Sequence, residues 1–285
     1  MNPLTEDSTA RRVGKLRKLL HFFSHGVKLG TGVVDKIKLV YLLLRWKLVE
    51  VVSASCARLP IPRNLCISFE GRRICLDVPD DLSFCHAFYE IFIGQDYRVE
   101  LACQPKVILD IGAQFGLASV YYACVYPEAR IAALEPSTRN YGILARNTRG
   151  FTTVEIHQLA LFSGRGRHRL HLAERGGDNS LMIAGGAFEE IETTTLDEFA
   201  QEQGIDHVDI LKIDVEGAEA EILRACRLAE HVDHVVGELH FDRVDRVEMM
   251  SILERNFVVK LFYADPVCRT FVGLNRRLVN PSSSG

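Results

Sequence analysis

An apolar run that ends on a carboxylate and then breaks into glycines constrains this 285-residue chain more than any other feature. It reads Val107-Ile108-Leu109-Asp110-Ile111-Gly112-Ala113-Gln114-Phe115-Gly116. The run predicts a buried strand, a tight turn and the first residues of a helix. Gly112 and Gly116 remove side chains where a ligand would come nearest the backbone, and a helix start offers unpaired N–H groups. The turn lacks the third glycine of the dinucleotide fingerprint. Asp110 would repel a pyrophosphate and attract an ammonium or sulfonium. S-adenosylmethionine carries both of those cations and no phosphate, so the motif points to a methyl donor rather than a nicotinamide.

Apolar strands and helical patterns alternate regularly through the rest of the chain. Strands are expected at 106–111, 130–135, 153–160, 208–214, 234–240, 256–263 and 268–274. Helices are expected at 115–126, 137–148, 195–203, 217–229 and 243–255. This is the pattern of an α/β, doubly wound, Rossmann-like sheet, mostly parallel, with the last two strands close enough to pair antiparallel. Residues 167–172 predict one further short hairpin strand. Three segments result: a basic helical N-terminal extension over 1–60, a small cap or lead-in over 61–104, and the sheet domain over 105–280. Pro60-Ile61-Pro62 marks the first boundary.

Four strand ends gather polar residues. Asp110 and its turn are the first. At the second, Glu135 ends a strand nineteen residues after Gly116, where a carboxylate can accept both hydroxyls of an adenosine ribose; an acid at a helix start is the plainer alternative. The third is Asp209-Ile210-Leu211-Lys212-Ile213-Asp214-Val215-Glu216-Gly217-Ala218-Glu219. Lys212 shares a strand face with Asp214, which is its expected partner, and Glu216 is placed to cap the next helix. The fourth is Glu238-Leu239-His240, where Glu238 and His240 share a face by period two. Asn179 and Ser180 suit sugar hydroxyls, although a Gly-Gly-Asp-Asn-Ser stretch also makes an ordinary turn. The carboxylates near Asp214 come from separate elements and specify no metal. His157, His168, His171, His207, His231 and His234 are expected at the surface.

The phrases Ile108–Gly116, Thr194-Thr195-Leu196-Asp197-Glu198-Phe199, Leu211–Glu219 and Glu238-Leu239-His240, in this order and spacing over roughly 85–275, resemble those of the FkbM-type methyltransferases. The resemblance implies a class I S-adenosylmethionine fold and, usually, O-methylation of a sugar or polyketide-type hydroxyl. It implies that Asp110, Gly112, Ala113, Gln114, Gly116, Glu135, Pro136 and Ala160 surround the cofactor. Asp214, Glu216 and His240 would border the acceptor, with His240 favoured as base. Two positions depart from the family pattern: Gln114 stands where Asn is usual, and Ser163 where an acid near the adenine is expected. An N-methyltransferase and a non-catalytic module that keeps the fold are the alternatives.

The remaining features bear on partners. Residues 1–47 hold ten Lys and Arg against three acids, a local charge of +7 that leaves −10 for the remainder of a chain whose total is −3. A basic arm on an acidic body hints at a partner, but the small total charge gives no electrostatic reason to expect nucleic acid, and the resemblance implies a small-molecule or glycan acceptor instead. Within the helical extension, Val33, Val34, Ile37, Val40, Tyr41, Leu44, Leu48, Val51 and Val52 recur at helical steps. They predict one apolar face, which could pack on the catalytic body, meet a partner or lie in a membrane plane. The longest apolar run there, Leu39 to Leu44, is far short of a span. The first ten residues are expected to be disordered, without the apolar core of a secretory signal. Eight scattered cysteines, with no C-x-x-C pair, predict reduced core thiols and a cytoplasmic protein, with membrane association on the cytoplasmic face an option.

Overall fold

The computed structural model describes residues 24, 26–51, 60–173, 179–182, 186–224, 226–262 and 268–279. The expected disorder at 1–10, Val52, Cys56 and the 175–178 part of the Gly-Gly-Asp turn lie outside them. The chain divides into two compact units, Met1–Gln95 and Asp96–Gly285. The first thus contains the helical extension together with most of the lead-in.

In the first unit, helix α1 (Val33–Val51) accompanies a hairpin of β1 (Asn64–Phe69) and β2 (Arg72–Asp77). Then come α2 (Leu82–Phe88) and a π-helical turn over Tyr89–Gly94. Asp81 caps α2 by accepting from the backbone N–H of Ser83 at 3.0 Å. The hairpin turns on Glu70 and Gly71, both at positive φ (46° and 71°), as a two-residue turn matched to strand twist requires. That turn sets Cys66 directly opposite Cys75, and the two form a disulfide. The expectation of reduced cysteines fails for this pair, because residues symmetric about a tight turn face each other across the ladder. Free thiols are Cys85, Cys103, Cys124 and Cys226.

Helix α1 corrects the expected apolar face. Its buried apolar side chains are Leu39, Leu42, Leu43 and Trp46, with Arg45 buried beside them, whereas Val33, Val34, Ile37, Leu44 and Leu48 of the expected stripe are exposed. Polar contacts fix this rotation. Asp35 accepts from the backbone N–H of Cys66 at 3.3 Å, the Lys38 ammonium donates to Asn64 at 2.6 Å, and the Tyr41 hydroxyl donates to the Pro60 carbonyl at 2.6 Å.

The second unit is the doubly wound sheet, built from β3 (Val107–Ile111), β4 (Arg130–Leu134), β5 (Val154–His157), β9 (Val208–Ile213), β10 (Val232–His240), β11 (Phe257–Leu261) and β12 (Cys268–Asn275). Their spatial order is β5-β4-β3-β9-β10-β12-β11. Pairs among the first five are parallel; β12 runs antiparallel to both β10 and β11. The order reverses between β3 and β9, where Asp110 pairs in register with Lys212. A ligand of such a sheet belongs outside the carboxyl ends of strands at this reversal.

Helices α3 (Leu117–Val125), α4 (Thr138–Thr148), α5 (Leu196–Gln203), α6 (Glu219–Leu223) and α7 (Arg246–Asn256) connect the strands. Burial on both faces explains why β3, β4 and β9 read as mainly apolar runs, interrupted only by Asp110 in β3, Arg130 in β4, and Asp209 and Lys212 in β9. One side packs Leu109, Ile111, Leu134, Leu211, Ile213, Val235, Phe199 and Met249 into a single core. Two expectations change. The strand drawn through 153–160 breaks, so that β6 (Ala160–Leu161) joins β7 (Gly166–His171) and β8 (Phe188–Thr194) in a second, three-stranded sheet. The helix expected over 217–229 is only α6, followed by a 3-10 turn at Leu228–His231.

Candidate active site

The turn after β3 is held by main-chain and side-chain bonds together. The N–H groups of Gly112 and Ala113 both donate to the Leu134 carbonyl, at 3.1 and 2.9 Å. Gly112 and Gly116 have φ of +76° and +80°, and Gln114 adopts +51° between them. A Cβ on Gly112 would stand 1.9 Å from the carbonyl oxygen of Asp214, and one on Gly116 would stand 2.7 Å from Leu144. These glycines therefore answer first to close packing of the protein on itself.

Asp110 is fully buried. Its carboxylate accepts from the Ser119 hydroxyl at 2.6 Å and pairs with the Lys212 ammonium at 3.2 Å. The expectation that Asp110 itself attracts a cationic ligand changes accordingly, because Lys212 already neutralises it. Lys212 lies 3.9 Å from Asp214, its expected partner, so Asp110 is the nearer one. The ammonium also donates to the Gly112 carbonyl at 2.6 Å. Burial works against its charge, yet Asp110 and Asp214 outweigh that and hold its pKa above the ordinary lysine value. Asp110 and Lys212 together pin the glycine turn to β9.

Glu135 ends β4 and is buried. One carboxylate oxygen accepts from the N–H of Gln114 at 3.0 Å and the other from the N–H of Ser137 at 2.9 Å. Burial pushes this carboxyl up to about 7 against the opposing pull of the two amides. Glu135 is thus both the helix-start acid and a carboxylate with acceptor sites to spare. Ala113 and Ala160 are buried, Pro136 is half-buried and Ser163 is exposed.

Beyond β9 and β10, acids surround one imidazole. The Nε2 of His240 lies 3.2 Å from Glu216 and 3.9 Å from Glu238, and its Nδ1 lies 3.6 Å from Glu219. Burial disfavours its charge, but the neighbouring carboxylates of Glu219, Glu216 and Asp214 win and push the ring up to about 10. His240 is consequently an imidazolium at neutral pH. Glu216, at φ +56°, also pairs with Arg243. It does not cap α6. Glu219 orders that turn, accepting from the N–H groups of Val215 and Gly217 at 3.2 and 3.3 Å. Asp214 accepts from the Tyr97 hydroxyl at 3.3 Å through one oxygen, while its other oxygen has no hydrogen-bond partner among the described residues. Asp214, Glu238 and His240 each offer a ligand atom within 4.8 Å of the others, close enough to share a divalent cation.

The structure therefore gathers Asp214, Glu216, Glu238 and His240 in one cluster, linked to the turn of Gly112 through the Asp214 carbonyl and Lys212. Three participants were missed by the sequence reading: Tyr97, Ser119 and Arg243. Of these, Ser119 alone had a signal available, since it follows Asp110 by nine residues on the helix that the glycine turn begins. Asn179 and Ser180 are occupied within the chain, by the Ala173 N–H at 3.0 Å and the Glu216 carbonyl at 2.7 Å. Thr195 and Glu198 form a reciprocal cap on α5, so that phrase is structural. Among the histidines expected at the surface, His157, His168, His171 and His234 are half-buried, while His207 and His231 are exposed.

Comparison with known proteins bears on this geometry. Residues 110–259 match a family model described as the methyltransferase FkbM domain. Methyltransferase sdnD of Sordaria araneosa is 29 % identical over 172 residues, which cover 48 % of this chain and 66 % of that protein, just under two thirds of its length. Methyltransferase 1 of Beauveria bassiana (strain ARSEF 2860) is 27 % identical over 205 residues, 61 % of this chain and 80 % of that protein. The 2-O-methyltransferase NoeI of Sinorhizobium fredii is 24 % identical over 135 residues, 41 % of this chain and 56 % of that protein.

Proposed function

We propose, from the premise that this chain belongs to the FkbM family of S-adenosylmethionine-dependent methyltransferases, that it methylates a hydroxyl on a small, sugar-like or polyketide-type acceptor. The observation that carries the choice of acceptor is the cluster of Asp214, Glu216, Glu238 and His240 beside the sheet's order reversal. Carboxylates and an imidazolium are hydrogen-bonding partners for an alcohol-rich molecule. The name of one relative, a 2-O-methyltransferase, supports the same choice.

The residues present fit the cofactor. Glu135 keeps unused acceptor sites for ribose hydroxyls, beside a turn (Gly112 to Gly116) whose backbone is already fixed. Ala113, Gln114, Pro136 and Ala160 are the further contacts this reading assigns to the cofactor. The acids beyond β9 and β10 favour a cation, although Asp110, already paired with Lys212, adds little to that preference. When bound, S-adenosylmethionine supplies a methyl group on a positively charged sulfur. What remains for the protein is alignment and the fate of one proton.

An imidazolium cannot accept a proton, so His240, favoured from sequence as the base, acts in its resting form as a hydrogen-bond donor to the acceptor. Asp214, whose side chain is partly exposed, takes the acceptor's hydroxyl proton, and Tyr97 fixes its orientation through a bond to one oxygen. Glu216, tied to Arg243 and His240, orients the imidazolium. The test is transfer of labelled methyl from S-adenosylmethionine to a panel of glycans and polyols, with wild type, Asp214→Asn and His240→Gln. Cofactor affinity is measured separately by calorimetry. Asp214→Asn is expected to lose about 100-fold or more in rate while still binding cofactor. Wild-type rates in both variants would remove the site, methylation of amines alone would reassign the acceptor, and no heat with S-adenosylmethionine would leave a non-catalytic module.

A further inference from the structure

Helix α1 carries two apolar faces rather than one. At 3.6 residues per turn, the buried Leu39, Leu42, Leu43 and Trp46 lie roughly opposite Val33, Val34, Ile37, Leu44 and Leu48. The second group is exposed, from 41 % at Leu48 to 74 % at Val33. The inward face accounts for the helix packing in its own unit, so the outward stripe needs a separate explanation. Contiguous exposed apolar surface of this kind marks an interaction site more often than chance.

We propose that the outward face of α1 lies in the plane of an anionic membrane surface. Charge selects this occupant. The exposed Lys36 borders the stripe on one side, and Lys38 borders it on the other, while also held by Asn64 and Asp35. The sequence before the helix supplies Arg11, Arg12, Lys15, Arg17, Lys18 and Lys28, six of the ten cations behind the +7 of residues 1–47. An apolar stripe bordered by cations, close to a polybasic segment, supplies the two signals that stable attachment to acidic lipid needs. A second copy would cover the same stripe only by bringing two segments of +7 together. No helix of the described residues is long and apolar enough to cross a bilayer, so the contact is one of lying on the surface. The proposal concerns the first unit alone and does not depend on the acceptor chosen for the second.

Flotation of the full chain with vesicles tests it. Vesicles of phosphatidylcholine alone are compared with ones holding about 30 % phosphatidylserine, at about 0.1 and 0.5 M salt. Binding is expected on the acidic vesicles and to weaken several-fold at the higher salt. Replacing two exposed residues, Ile37→Asp with Leu44→Asp, is expected to cut the bound fraction about tenfold, with cofactor affinity and thermal midpoint unchanged. Failure of the wild-type chain to float, or equal flotation of the double variant, overturns the proposal. So does a dimer in sedimentation that the double variant dissolves, because the stripe would then join two chains.

Discussion

A methyl group at position 112 has nowhere to go. Its carbon would sit 1.9 Å from the Asp214 carbonyl oxygen, at a φ of +76° that L side chains avoid. Gly112→Ala is expected to cost about 3 kcal/mol or more through forced separation of β3 from β9 and backbone strain. Urea titration reads that loss, and near-normal stability would show that the strand ends can part freely. His240 gives a second residue-level test. Its pKa is raised from 6.5 to about 10. The stability contributed by its ion pairs is therefore fully present below about 6.5 and lost as pH rises through about 10. Ring NMR shifts should stay those of an imidazolium past pH 8, whereas an inflection near 6.5 would return His240 to the role of base. At this scale the sequence was legible in residue type and position: Glu135, Asp214 and His240 all occupy strand ends as their spacing implies. It was not legible in pairing. Which acid neutralises Lys212 depends on the register of β3 beside β9, and no spacing within one strand encodes a register between two.

At the next scale, a single side chain orders the β9–α6 connection. Glu219 is fully buried and accepts from two backbone N–H groups, with His240 beside it. Glu219→Ala would orphan both donors and remove a counter-ion of the imidazolium, for an expected loss of about 2–4 kcal/mol. By contrast, Thr195→Ala breaks only the cap of α5 and should cost about 1 kcal/mol. Thermal melts of the pair rank them, and an equal effect would deny Glu219 its place in the turn. Elements buried on two sides were readable, since β3, β4 and β9 are mainly apolar and β10 carries an apolar centre at Val235-Val236. Strand β8 did not, because Glu189, Glu190 and Glu192 hide a strand with little buried surface and its partner β7 is equally polar. Helix α1 failed differently: with apolar residues on opposite sides, periodicity found a real stripe and could not say which stripe faces inward. The Cys66–Cys75 pair was recoverable, as both cysteines are equidistant from Glu70-Gly71, a turn whose chemistry sets the register.

Across the whole molecule, Glu135 couples folding and ligand binding with opposite signs. Its carboxyl is raised from 4.5 to about 7, so the folded chain holds a proton that the unfolded chain releases between those values. This group's contribution to stability therefore falls as pH rises from about 4.5 to 7. Ribose hydroxyls donate to a carboxylate better than to a carboxylic acid, so affinity for S-adenosylmethionine should rise over the upper part of the same window, with a midpoint near 7. Calorimetry between pH 5.5 and 8.5 checks this; flat affinity would mean that Glu135 serves the helix start alone, and Glu135→Gln should flatten the curve. Every residue in that coupling belongs to Asp96–Gly285, as does the entire segment 110–259 that matches the family. A chain beginning at Asp96, if folded by circular dichroism, should therefore reproduce both the affinity and its pH midpoint. Loss of binding in that folded fragment would mean that the first 95 residues contribute to the cofactor site, and the division of labour between a catalytic unit and a lipid-facing unit would not hold.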